Sequence, residues 1–155
     1  MKFITRNFSE HDKKYFRKSV AEYAKVGIKM SQGDPPDVIV YLTSKNAMKK
    51  LYPTVAKSGL SVTDRGKSPY EIHLNEDNWN SIPTHLGSEF TDLEDYRVAL
   101  ISHEFSHVLG HDHVKCACVG CDMDVRQQPS RKLYGCTPTT KVVFNKKSPH
   151  TNINL

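Results

Sequence analysis

Residues 103–113 read His103-Glu104-Phe105-Ser106-His107-Val108-Leu109-Gly110-His111-Asp112-His113. The pattern is H-E-x-x-H-x-x-G-x-x-H, and its spacing has a physical reason. On a helix, residues four apart share one face, one turn apart. His103 and His107 therefore point the same way, and two imidazoles can hold one zinc ion at about 2.0–2.1 Å each. Glu104 is next in sequence but rotated off that direction. It can reach a water on the metal without ligating the metal, which is where a zinc protease keeps its general base. His111 and His113 compete for the third ligand position. On a continued helix each four-residue step rises roughly 6 Å, so His103 and His111 would stand roughly 12 Å apart, too far for one ion. The chain must turn, and Gly110 permits it, because glycine adopts the left-handed conformation that ends helices. His103, His107 and His113 are assigned as ligands, with His111 a bystander or a support to them. A lone H-E-x-x-H also arises by chance on ordinary helices. Gly110 and His113 weigh against chance, and Glu104 weighs against an ion that only holds structure.

The four cysteines follow the third histidine closely: Cys116, Cys118, Cys121 and Cys136. Thiolates at this spacing form a workable ligand set for a second, structural zinc. Disulfides stapling a loop-rich segment are the second reading, with Cys116 or Cys118 to Cys136 more plausible than the strained Cys116–Cys118 ring. Reduced thiols are the third. His73 and His85 are read as structural or surface residues rather than ligands.

These residues need elements to position them. Thr91-Asp92-Leu93-Glu94 fits a capping box, and no glycine or proline follows until Gly110. Val98, Ile101, Phe105 and Val108 form one apolar stripe, and Leu93, Tyr96 and Leu100 run into the histidines on another. Apolar residues on both sides predict a buried helix with its histidines at a cleft floor. Ser9-Glu10-His11-Asp12 opens an earlier helix whose Phe16, Val20, Tyr23 and Ala24 recur at core spacing. Asp37–Thr43 reads as a buried strand. Ser44 caps a short helix through Ala47, Met48 and Leu51, stopped by Pro53. Leu60–Thr63 and Tyr70–Asn75 alternate and predict a strand pair across a loop. The stretch from Asn75 to Gly87 reads as irregular, with Trp79 as its anchor in the core.

The chain has 155 residues, enough for one domain with one sizeable core. No stretch is apolar enough to span a membrane, and Met1–Phe8 is too short and too polar for a secretory signal. The net charge of +5 is compatible with a solvated basic surface, and secondarily with nucleic acid.

Residues His103–His113 resemble the metzincin clan of zinc endopeptidases. That resemblance implies zinc on the three histidines, Glu104 as general base and a methionine in a tight turn beneath the metal. Met123 is the candidate, being the one methionine after His113. Cys121-Asp122-Met123 is similar to archaemetzincins, which bind a second zinc near this methionine, although the cysteine spacing here differs. A wider resemblance, over Leu74–Cys136, is to small actinobacterial metzincin-like proteins. It is carried by Asn75, Trp79, Tyr96-Arg97, His103-Glu104, Leu109-Gly110-His111, Gln127-Gln128 and Gly135-Cys136. Those proteins have a methionine just before the paired glutamines, where this chain has Arg126. Either Met123 is shifted into the turn or the turn is altered. They are also generally exported.

The fold implied is α+β: a compact zincin-like domain over residues 1–144, with a twisted mixed sheet, a backing helix, an active-site helix and a loop-rich C-terminal part. Residues 145–155 are expected to form a polar, loosely held tail. The function implied is a zinc-dependent endopeptidase that takes peptide or protein substrates and acts as a monomer, without a membrane partner. Tyr134 is a candidate oxyanion stabiliser, set against a plain core or surface role. Tyr70–Asn75 is the candidate sheet edge for an extended peptide. A protease for nucleic-acid-associated proteins and a non-catalytic zinc-stabilised binding module are the alternatives.

Overall fold

A computed structural model describes residues 1–25, 27–56, 61–82, 90 and 92–111, together with the backbone of 153–154. Strand β1 (Lys2–Arg6) leads to helix α1 (Lys13–Lys25), then β2 (Ser31–Gln32) and β3 (Val38–Thr43). Helices α2 (Lys45–Leu51) and α3 (Pro53–Ala56) precede β4 (Val62–Asp64) and β5 (Tyr70–Asn75). Helices α4 (Glu76–Asn80) and α5 (Leu93–Val108) follow, and Ile153–Asn154 forms β6. The fold is α+β, with one six-stranded mixed sheet in the order β2-β1-β3-β5-β4-β6. Strands β2, β1, β3 and β5 run parallel, and β4 is antiparallel to both β5 and β6.

Side-chain alternation gives the sheet two unlike faces. Phe3, Val38, Val40, Ile72 and Leu74 point to one face and join Tyr15, Phe16 and Tyr23 of α1 and Leu100, Ile101 and Phe105 of α5 in the main core. Phe105 touches Phe3, Phe16 and Tyr23 at once, with ring centroids 5.2, 6.5 and 6.3 Å away. The other face carries Val62, which packs with Met48 of α2, Tyr52 just after it and Val55 of α3. The sheet is therefore sandwiched between α1 and α5 on one side and α2 and α3 on the other.

A buried polar seam fixes how α5 is rotated. The Ser19 and Ser102 hydroxyls lie 2.7 Å apart, and Tyr23 donates to the Ser102 carbonyl while also bonding the Ser106 hydroxyl at 2.7 Å. With Ser102 and Ser106 turned toward α1, a helix advancing about 100° per residue turns His103, Glu104 and His107 away from α1. At its other end α5 is clamped by Lys14–Glu94 at 2.6 Å and by Arg97, whose guanidinium stacks 4.8 Å over the Trp79 ring and donates to the Trp79 carbonyl.

Several elements differ from the sequence reading. Lys2–Arg6, assigned no element from sequence, is a strand inside the sheet, paired with β2 on one side and β3 on the other, with Phe3 in the core. Helix α1 starts at Lys13, and Ser9 instead accepts from the Asp12 amide in the preceding turn. Residues 76–80, read as irregular, form α4, capped by Asn75. The cap of α5 is Asp92, which accepts from the Glu94 amide at 2.8 Å, one position beyond the Thr91 of the expected capping box. Tyr70–Asn75 is flanked by β3 and β4, so it is an interior strand and not an edge. Ile153 and Asn154, inside the segment expected to be loose, pair with Asp64 and Thr63 of β4. The Ser44 cap, α2 and the β4–β5 pair follow the sequence expectation.

Candidate functional site

His103 and His107 lie one turn apart near the C-terminus of α5, with ring centroids 4.9 Å apart and planes at 86°. Both are buried, at 3% and 0% exposure. His107 Nδ1 lies 2.8 Å from the His111 carbonyl oxygen. A carbonyl only accepts, so that contact puts a ring proton on Nδ1, and in the neutral imidazole Nε2 is then the lone-pair atom. An imidazole that ligates a metal through Nε2 needs that tautomer. His111, read as bystander or support, thus contributes its backbone to the orientation of His107.

The chain turns at the point the spacing required. Helix α5 ends at Val108, and Gly110 has a φ of 101°. The Gly110 amide donates to the His107 carbonyl and the His111 amide to the Ser106 carbonyl, each at 3.0 Å. These two bonds form a Schellman motif, in which only glycine takes the left-handed position without strain. Arg65, just past β4, donates from Nη1 to the His107 carbonyl at 3.2 Å and so caps the same helix end. Asp64 shapes that corner: it accepts from the Gly66 amide at 2.9 Å and from the Tyr52 hydroxyl at 2.8 Å.

Glu104 faces the sheet and meets Thr63 of β4. The Thr63 hydroxyl lies 2.6 Å from Glu104 Oε2 and 3.2 Å from its carbonyl oxygen. Burial pushes the Glu104 carboxyl up to about 7, and the Thr63 hydrogen bond pulls the other way. The Tyr96 hydroxyl is held neutral by burial first and by the Glu104 charge second. It accepts from Asn78 Nδ2 at 2.6 Å, and Asn78 in turn accepts from Ser61 at 2.7 Å, a buried chain running back to the Asn75 amide.

Two buried imidazoles one turn apart and a neighbouring carboxylate suit zinc in donor type. Among the described residues, no group of three or more His, Cys, Asp or Glu is arranged to hold a metal ion. His113, expected as the third ligand, lies outside the described residues, as do Cys116, Cys118, Cys121, Cys136, Met123, Tyr134 and His85. Thr63 and Arg65 escaped the sequence reading. The alternation at Ser61-Val62-Thr63 marks a strand, but says nothing of which helix residue the inward threonine meets. His73 is buried at 5%, between Thr43 and Glu71 on the face opposite α5, consistent with its reading as structural.

The family described as "Protein of unknown function (DUF3152)" matches residues 10–134, most of the chain. The chain belongs to that family. No curated protein and no solved structure matches it. In this DUF3152 member the matched span takes in α1, the strands from β2 to β5, and all of α5. Strand β1 lies ahead of it, although it sits between β2 and β3 in the sheet. No helix among the described residues is long and apolar enough to cross a membrane.

Proposed function

We propose that this protein is a zinc-dependent endopeptidase of zincin-like fold, with His103, His107 and His113 as metal ligands and Glu104 as general base. The observation that carries the reading is the end of α5. Two buried imidazoles stand one turn apart, a carboxylate lies beside them, and the backbone breaks at Gly110 just before the residue needed as third ligand. A mixed sheet with a backing helix and a buried histidine helix is compatible with the zincin arrangement.

Held by three neutral imidazoles, zinc would keep one position open for water, lower that water's pKa toward neutrality and polarise the scissile carbonyl. The chain's own residues then have distinct tasks. Glu104 takes a proton from the attacking water and passes it to the leaving amine. Thr63 holds one carboxylate oxygen, leaving the other to meet the water. The His111 carbonyl orients His107, and Arg65 with the Schellman turn fixes the backbone that leads to His113. Burial of Glu104 suits proton transfer near neutral pH, because a base works best when its pKa lies near that of its medium.

The test is peptide hydrolysis by purified protein with zinc and with a chelator, beside metal content per chain. Glu104→Gln is expected to keep zinc and lose nearly all hydrolysis. His113→Ala is expected to lose zinc, whereas His111→Ala keeps it. Zinc-independent cleavage, or full activity in Glu104→Gln, removes the proposal. Zinc binding without any cleavage favours a zinc-stabilised binding module instead. The cysteine state follows from the same measurement, since two zinc ions per chain point to a thiolate site and one points away from it.

A further inference from the structure

A concavity lies on the face of the sheet opposite α5. It has a volume of about 470 Å³, within the range of small-molecule sites. Its position follows from the topology. Strands β1, β3 and β5 are adjacent and parallel, so their carboxyl ends share one rim of the sheet. Asn7 follows β1, Ser44 follows β3 and Glu76 follows β5, and all three line the cavity. From β1 the chain passes through α1, which packs on the main-core face. From β3 it passes through α2, which packs on the other face. The connections thus leave neighbouring strands to opposite sides, and that divergence opens a crevice at the carboxyl ends. In open parallel sheets such a switch point is where ligands bind.

The walls of the crevice are built. Tyr41 and His73 stack with centroids 4.8 Å apart and planes at 8°, a rigid aromatic pair whose outer Tyr41 ring is the less buried of the two. His73 is pinned on both ring nitrogens, by Thr43 Oγ1 at 2.7 Å on Nδ1 and by Glu71 Oε1 at 3.0 Å on Nε2. The Tyr52 ring, just past α2, packs on it at 5.3 Å. At the mouth, Asn7 holds a φ of 70° and its side-chain amide donates to the Leu42 carbonyl. Leu51 is 54% exposed, the one exposed large hydrophobic among the described residues, and it forms the apolar rim. Glu76 supplies an exposed carboxylate, and among the described residues no lysine or arginine lines the cavity.

We propose that this crevice is a second ligand site, separate from the α5 histidines, that takes a small organic cation with a flat apolar body. The body lies against the Tyr41–His73 wall and under Leu51. The cationic group meets Glu76, with Tyr41 adding a cation–π contribution. Anionic ligands are disfavoured by Glu76, which no lysine or arginine among the described lining residues offsets.

The experiment titrates the full-length protein with phenethylamine, phenethyl alcohol and hydrocinnamate, which share one ring and differ in charge, and follows backbone amide resonances. Saturable shifts are expected at Asn7, Tyr41–Ala47 and Glu76, with affinity in the millimolar range for ligands of this size. The amine should bind roughly two- to fivefold more tightly than the alcohol, as one exposed ion pair allows, and the carboxylate should bind weakest. Glu76→Gln should erase the advantage of the amine, and Leu51→Ser should weaken all three; both change exposed side chains and leave α5 untouched. The proposal is overturned if no probe saturates, if the carboxylate binds as well as the amine, or if Glu76→Gln keeps the amine's preference.

Discussion

Glu104→Gln should stabilise the metal-free protein above neutral pH while destroying its proposed chemistry. The carboxyl is fully buried, and its ordinary value of 4.5 is raised to about 7. A carboxyl that holds its proton more tightly when folded makes its best contribution below about pH 4.5, where both states are protonated. As pH rises the unfolded chain ionises first, so stability falls between about 4.5 and 7 and stays low above that range. The gap between 4.5 and about 7 corresponds to roughly 3 kcal/mol, at about 1.4 kcal/mol per tenfold change in proton affinity. An amide carries no charge to desolvate, and its oxygen still accepts from Thr63. The variant should therefore match the parent near pH 4 and exceed it by about 2–3 kcal/mol at pH 8, a Tm gain of roughly 5–12 °C for a chain of this size. The assay is thermal and urea unfolding in chelator across that pH range. Chelator is essential, because a bound cation favours the ionised carboxylate and would cancel the effect. An equal or lower Tm for the variant at pH 8 would refute the claim that this carboxyl is buried against the sheet.

Thr63→Val should keep zinc but lower peptide hydrolysis about tenfold or more, the usual worth of a hydrogen bond to a charged group. Because Thr63 lowers the Glu104 pKa, its loss should move the acid limb of the pH–rate profile upward, and Thr63→Ser should restore both. Gly110→Ala forces a side chain into the left-handed region and should cost roughly 1–2 kcal/mol in urea unfolding, with weaker zinc retention by metal analysis. Phe105→Ala, at a position 0% exposed and in contact with three rings, should cost about 3–5 kcal/mol in the same unfolding assay.

What the sequence determined on its own is local. The offset of four between His103 and His107, the carboxylate next to the first, and the glycine that ends α5 are chain-neighbour relations, and helix geometry converts them directly into positions. The same holds for Ser44 as a cap and for the alternation of β4 and β5. What lay beyond sequence was long-range. Strand β1 has one strongly inward residue, Phe3, and becomes a strand because β2 and β3 pair with it on either side. That α5 presents Glu104 to Thr63 depends on the serine–tyrosine seam with α1, which sets the helix rotation. The crevice beneath Tyr41 and His73 exists because α1 and α2 leave adjacent strands to opposite faces. Strand order and handedness of connection decide that, and neither leaves a periodic trace in the residues themselves.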